Sequence, residues 1–178
     1  MLISKSASKG LVDFSLNIYD RKNVKETLLI LQDEFSCNVL SILWFLWVDL
    51  SGIELSIEQQ HKGELRIDEL SAQVLKSVRQ SRYELNGSEY LSRHKKSIKS
   101  QLVAIEIECE IAILGEMQAF TESQITNLTL VNDKNRLISF KTLDCYIDRR
   151  CKVLKKGTFM NDGVKQRFMA LFNTLKLA

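Results

Sequence analysis

The chain has 178 residues, of which 45% are hydrophobic and 26% charged, and its formal net charge is +3. This size suits a single hydrophobic core, and the composition is close to the average of soluble globular proteins. Proline is absent and only seven glycines occur, so the chain lacks the residues that many-stranded β folds use in their turns. We therefore predict an all-α protein that forms a single helical domain over residues 1–178.

The first two predicted helices have the sequences LVDFSLNIYD and NVKETLLILQDEF. In the second, Asn23 is placed to cap the helix start, because asparagine is a favoured N-cap residue. Val24, Leu28, Leu31 and Phe35 recur at spacings of four, three and four residues, which places them on one helix face. Both segments are predicted to form a compact trio with the helix that follows.

The third predicted helix covers residues 38–52 and contains both tryptophans of the chain, Trp44 and Trp47. Its apolar run is half as long as the roughly 20 residues that cross a membrane, so a membrane span is excluded. Asn38 is a suitable N-cap, and Gly52 is a suitable left-handed residue after the helix end. The segment is predicted to be the central buried helix of a bundle.

Residues 56–85 are the next predicted helical region, and Ser56 and Gln59 have the spacing of a capping box. Gly63 is predicted to divide this region into a short and a long helix. Apolar residues at near-helical intervals mark its predicted buried face: Leu65, Leu70, Val74, Leu75 and Val78.

Residues 101–115 allow two interpretations. Five apolar residues alternate with polar or small ones, as in a β-strand. The segment nevertheless lies in a long stretch with few turn signals, and an isolated strand would have no partner. A helix is favoured and a strand is the alternative.

Two apolar stripes in the C-terminal part predict two more helices. The first stripe contains Phe140, Leu143, Ile147, Cys151 and Leu154, and the second contains Val164, Phe168, Leu171, Phe172 and Leu175. With the earlier segments, they predict a bundle of six to eight helices.

Basic residues are concentrated near the C-terminus, where residues 134–178 contain eleven basic and three acidic side chains. Arg149, Arg150, Lys155 and Lys156 are the candidates for contacting nucleic-acid phosphates. Neither interleaved aromatics nor a helix-turn-helix pattern accompanies them. Nucleic acid is therefore disfavoured as a partner, and solvation of helix faces is the alternative role of these residues.

Residues suited to catalysis or metal binding are scarce. Four glutamates between residues 106 and 116 could gather around a cation, but a di-iron bundle needs two Glu-x-x-His motifs. Glu58 and His61 supply one such spacing, whereas His94 lacks the matching glutamate. The four cysteines form no CxxC pair, and no nucleophile elbow, P-loop or dinucleotide motif occurs. We predict no catalytic residue, no metal and no cofactor.

The stretch LILQDEFSCNVLSILWFLW, preceded by Phe14 and Tyr19, resembles a family of small helical proteins of unknown function from gammaproteobacteria. Five positions match its pattern: Gln32, Asp33, Val39, Leu43 and Trp47. Leu40 and Ser41 depart from it, since the family has asparagine and leucine there. The resemblance, strongest over residues 11–50, implies an all-α cytoplasmic bacterial protein without an assigned activity.

Two structural hypotheses concern residues of this segment. Gln32 and Asp33 are predicted to tie their helix to the tryptophan helix by hydrogen bonds. The aromatic residues around Trp44 and Trp47 suggest an apolar ligand pocket between helices.

The functional prediction is an uncharacterised cytoplasmic protein that is not an enzyme and has an interaction or regulatory role. Its partner would be another protein or a second copy of the chain. The N-terminal sequence MLISKSASKG lacks the apolar segment of a signal peptide, which supports the cytoplasm. The alternatives are a bundle that binds an apolar ligand near the tryptophans and weak nucleic-acid binding through the basic C-terminal helices.

Overall fold

A computed structural model describes residues 10–21, 23–87, 93–125, 140–157, 166, 169, 170 and 172–174, with the backbone alone for 151–157. These residues are all-α and contain no β-strand, which confirms the predicted bundle of six to eight helices. None of the described helices combines the length and apolar character needed to cross a membrane. The elements are α1 (Leu11–Tyr19), α2 (Val24–Phe35), α3 (Val39–Leu50), α4 (Ile57–Leu70), a π-helical segment (Ser71–Leu75), α5 (Lys76–Gly87), α6 (Lys95–Ile125) and α7 (Lys141–Gly157).

Helix α3 is the centre of the bundle, and ten of its twelve residues are buried. It contacts α1, α2, α4, α6 and α7. The Asn38 side chain accepts a hydrogen bond from the Leu40 N–H at 3.0 Å, as predicted. Gly52 has a φ of 70°, and the N–H groups of Gly52 and Ile53 donate back into the last turn as a Schellman ending. The predicted caps therefore set both ends of this helix.

Helix α2 buries the predicted face, because Val24, Leu28, Leu31 and Phe35 all lie in the core. Asn23 stands at the N-cap position, but its side chain makes no capping hydrogen bond. Its backbone is left-handed, with a φ of 71°, a conformation that asparagine tolerates better than most residues. Asn23 thus starts α2 through its backbone conformation, and the predicted side-chain cap is wrong.

Gly63 lies inside α4 and is buried, so the prediction that it divides this region is wrong. A Cβ atom added to Gly63 would lie 2.1 Å from Cη2 of Trp44. The Trp44 indole N–H donates to Thr121 Oγ1 at 2.8 Å, and its ring meets the Phe120 ring edge-on. The absent side chain therefore makes room for the tryptophan ring between α4 and α6.

The start of α4 has the predicted capping box, formed by reciprocal hydrogen bonds between Ser56 and Gln59. The predicted buried face is only partly correct, because Leu65 and Val74 are exposed. Gly63 and Ile67, four residues apart, face the core instead, and this orientation turns Leu65 outward.

Residues 101–115 are helical, as favoured, and form the middle of α6. Ile113 and Leu114 are buried, whereas Ile105 and Ile107 are exposed. The alternation in this segment does not reflect a sheet, because residues two apart point to different sides of a helix.

Helix α7 runs antiparallel to α3, and hydrogen bonds from its first two turns reach both ends of α3. Near the end of α3, the Asp49 carboxylate accepts from the N–H groups of Thr142 and Leu143 at 3.0 and 2.9 Å. Near its start, the Tyr146 hydroxyl accepts from the Asn38 N–H at 3.1 Å. Each helix therefore satisfies open N–H groups at the beginning of the other.

The predicted burial of the first C-terminal stripe is confirmed for its described members, since Leu143 and Ile147 are buried and Phe140 is partly buried. In the second stripe Phe172 is described and fully buried. The other predicted members lie outside the residues whose side chains are described: Cys151, Leu154, Val164, Phe168, Leu171 and Leu175.

Candidate functional site

Three adjoining clefts lie on the side of the bundle formed by α1 to α6 and the π-helical segment, and one of them, the α2 cleft, is lined by α2 and its N-cap residue alone. The main cleft has a volume of about 410 Å³, the polar cleft about 360 Å³, and the α2 cleft about 420 Å³. Lys25 and Leu29 line both the main and the α2 cleft. The main and polar clefts share Gln32, Val39, Leu40, Arg79 and Glu110. Because of these shared residues, we treat the three clefts as one surface, the groove.

The main cleft has an apolar floor and an apolar rim. Leu40 and Leu43 of α3 line its floor and belong to the core. On its rim, Leu16 of α1, Leu29 of α2 and Ile107 of α6 expose 49%, 39% and 47% of their surface. Large apolar side chains that converge from three helices and remain exposed are characteristic of binding surfaces.

A charged cluster of Arg79, Arg82, Glu106 and Glu110 lines the same cleft. Arg79 donates through Nε to Glu106 Oε1 and through Nη2 to Glu110 Oε1, both at 2.8 Å. Arg82 Nη1 lies 3.1 Å from Glu106 Oε2 and forms a second ion pair with this glutamate. Glu106 is only 7% exposed, so the two arginines are needed to compensate its charge.

Burial raises the pKa of two groups in and beside this cluster. Burial raises the pKa of Glu110, and the charge of Glu106 adds to this effect, whereas Arg79 and Arg82 oppose it. Burial also raises the pKa of Tyr19, with a smaller contribution from Glu110. Glu110 is therefore more readily protonated than an exposed glutamate.

We expect the stability of the wild-type protein, relative to a Glu110→Gln variant, to increase as the pH falls. The folded-state pKa of Glu110 lies above its ordinary value of 4.5, so folding favours the protonated carboxyl group. The contribution of the protonated Glu110 to the free energy of unfolding is complete below the unfolded-state pKa of Glu110. It is lost as the pH rises through the folded-state pKa. Urea unfolding of both proteins from about pH 7 down to about pH 4 measures the difference. The expectation would be contradicted if the free energy of unfolding of the wild type, relative to that of Glu110→Gln, increased with increasing pH.

Acidic side chains outnumber basic ones around the groove. Its cations are Lys25, Arg79 and Arg82. Its seven carboxylates are Asp20, Glu26, Asp33, Glu34, Asp68, Glu106 and Glu110. The groove therefore has a formal charge of −4, although the whole chain has a charge of +3.

Trp44 and Trp47, the predicted ligand-binding residues, line none of these three clefts. Both are buried, and Trp44 packs against Phe45 with ring centroids 4.6 Å apart. Its hydrogen bond to Thr121 and its contact with Gly63 give Trp44 a role in core packing. A ligand pocket beside the two tryptophans stays a prediction.

Gln32 and Asp33 make no side-chain hydrogen bond to α3 within the described part of the chain, so the predicted tie between the helices is not found there. Gln32 is half-buried and lines both the main and the polar cleft. Asp33 is exposed and lines the α2 cleft. The structure thus places both residues on the groove.

Arg149 and Arg150, two of the predicted nucleic-acid residues, fasten α7 to the bundle. Arg149 pairs with Glu64 of α4 at 3.1 Å and lies over the Phe45 ring. Arg150 donates to the Phe35 carbonyl at the end of α2, at 3.2 Å. These intramolecular partners, which sequence reasoning did not anticipate, favour a structural role over phosphate binding.

The remaining predicted site residues are dispersed. The side chains of Lys155 and Lys156 lie outside the described residues, and His61 and His94 are exposed. Within the described ranges, no three histidine, cysteine, aspartate or glutamate side chains are grouped to hold a metal ion.

Sequence reasoning missed Arg79 and Arg82 as functional candidates. The spacing of these residues could have indicated the cluster. Arg79 and Arg82 are three residues apart and share a helix face, and Glu106 and Glu110, four residues apart, share a face of another helix. Two such pairs of opposite charge are suited to meet across a helix interface, but the sequence does not show which helices pack together.

In the described part of the chain, these features define an all-α bundle with an acidic groove that has an apolar floor. A family described as "Protein of unknown function (DUF2390)" matches residues 11–117, and the chain belongs to this family. The match confirms the predicted resemblance to a helical family of unknown function and extends it beyond residue 50. No curated protein and no solved structure is significantly similar to the chain. All residues that line the groove, from Ser15 to Leu114, lie within the matched segment, whereas α7 lies beyond it.

Proposed function

We propose that this protein is a non-enzymatic interaction protein of the cytoplasm and that the groove is its partner-binding surface. The observation that carries the proposal is the convergence of exposed Leu16, Leu29 and Ile107 on the main cleft. Protein interfaces combine an apolar centre with polar and charged groups at the edge. The groove has this arrangement, with its apolar cleft beside the charged cluster.

The charged cluster supports binding over catalysis. Glu106 and Glu110 are the partly or fully buried carboxylates of the groove, and Arg79 contacts both at 2.8 Å. A general acid or base needs a carboxylate that can reach a substrate proton. Arginine contacts on both glutamates favour a fixed electrostatic role for them.

Other features support the wider proposal. Among the described residues, Cys37, Cys109 and Cys145 form no disulfide, which is compatible with a reducing compartment such as the cytoplasm. The docking of α7 against α3 supports one domain over residues 1–178. A regulatory role would follow if occupation of the groove controls the partner's activity.

The groove variant Leu16→Gln/Leu29→Gln tests the proposal by affinity capture from the native cell. Wild-type protein is expected to retain a specific partner that the groove variant loses by about tenfold or more, because two apolar contacts are removed. Glutamine preserves helix propensity and approximate side-chain length.

The matched control is Leu65→Gln/Val74→Gln, which changes residues of nearly equal exposure, 48% and 38%, outside the groove. The control variant should retain the partner, and urea unfolding should show that both variants fold. Retention by the groove variant, or equal loss by both variants, would contradict the proposal.

A further inference from the structure

The occupant of the groove can be specified further, on the condition that the proposed function holds. We infer that the groove binds a cationic amphipathic helix of a partner protein, with the apolar face of that helix in the main cleft and its lysine or arginine side chains beside Asp20, Glu26 and Asp33. Two features of the groove carry this inference: its extent along α2 and its charge.

The groove is elongated along α2. It begins beside Asn23 at the start of this helix and continues past its end to Ser36. The 12 residues of α2 extend about 18 Å at 1.5 Å per residue. This length matches about three turns of a bound helix, which would present apolar side chains at i, i+3, i+4 and i+7.

The outer edge of the groove is acidic. Asp20, Glu26 and Asp33 are exposed and line the main or the α2 cleft. Glu26 and Asp33 are seven residues apart, so they lie on one face of α2, about 10.5 Å apart along its axis. Basic residues at the same spacing on a partner helix would lie opposite them, and the opposite charges would steer association and fix its register.

Two synthetic peptides of about 14 residues, or four helical turns, test the inference. Both have the same leucine stripe at i, i+3, i+4 and i+7, and their polar positions are all lysine in one and all glutamate in the other. Fluorescence anisotropy with the full chain is expected to show that the lysine peptide binds at least about tenfold more tightly, with an affinity that falls as salt rises. Equal affinity for both peptides would overturn the inference.

Matched charge variants test whether the peptide binds at the groove. Glu26→Lys/Asp33→Lys should weaken the lysine peptide about tenfold, whereas Glu69→Lys/Glu108→Lys, with the same charge change outside the groove, should alter the affinity less than about twofold. An equal effect of the two variants would indicate unspecific charge attraction and overturn the inference.

The outcomes distinguish the inference from the proposed function. If cellular capture depends on Leu16 and Leu29 but the lysine peptide does not bind the groove, the proposed function stands and the cationic helix is rejected. If capture is independent of both leucines, the proposed function itself fails. Light scattering that shows a dimer abolished by Leu16→Gln/Leu29→Gln would make a second copy the occupant and overturn the inference.

Discussion

Replacement of Gly63 by alanine is expected to destabilise the protein by about 1–3 kcal/mol, or more if the ring cannot move. The added Cβ would lie 2.1, 2.7 and 2.8 Å from three atoms of the Trp44 ring. That ring is held by its hydrogen bond to Thr121 and by its contact with Phe120. The collision therefore involves a rigid group in the centre of the core, and relief requires α4 to move away from α3.

The same substitution on α6 provides the control. No atom lies within 4 Å of a Cβ added to Gly115, so Gly115→Ala is expected to stabilise the protein by about 0.5–1 kcal/mol through helix propensity. Urea unfolding followed by tryptophan fluorescence measures both variants. Opposite signs are expected, and a Gly63→Ala variant as stable as the wild type would refute the packing role of this glycine.

Substitution of Asp49 by alanine is expected to loosen α7 and to reduce the free energy of unfolding by about 2 kcal/mol or more. The buried carboxylate accepts from the N–H groups of Thr142 and Leu143 in the first turn of α7, and alanine would leave both without this acceptor. Asp49→Asn should cost less, because it retains one acceptor oxygen and because burial, which raises the pKa of Asp49, penalises the charged form that asparagine lacks.

Hydrogen exchange at the Thr142 and Leu143 amides, together with urea unfolding, tests this role. We expect both amides to lose protection in Asp49→Ala. Asp33→Ala, which removes an exposed carboxylate, should change stability by no more than about 0.5 kcal/mol. Unchanged amide protection in Asp49→Ala would show that α7 docks without this carboxylate.

The prediction of the fold succeeded where the determining interactions are local. The absence of proline and the caps at Asn38 and Gly52 act within a few residues, and both predicted the observed helices. The apolar spacing of α2 also predicted its buried face. The same reasoning failed at Gly63. A glycine inside a helical pattern predicts a helix break, and only the tertiary structure shows that this glycine makes room for the Trp44 ring.

The candidate site was less predictable than the fold. Gln32 and Asp33 were recognised from a family pattern, but as a tie between helices, whereas the structure places them on the groove. Nothing in the sequence marks Leu16 and Leu29 as binding residues, since amphipathic helices often expose a few apolar residues. Their convergence with Ile107 depends on how α1, α2 and α6 pack.

The sequence by itself determined the helical class, both ends of α3, the start of α4 and the membership of a family without an assigned activity, because hydrogen bonds and apolar periodicity within a helix are local. The tertiary structure alone decided that Asp49 caps a distant helix, that Arg149 and Arg150 fasten α7, and that the groove is acidic. These features depend on contacts such as that between Asn38 and Tyr146, which are 108 residues apart. No local pattern encodes such a pair, because it forms only when whole helix faces pack together.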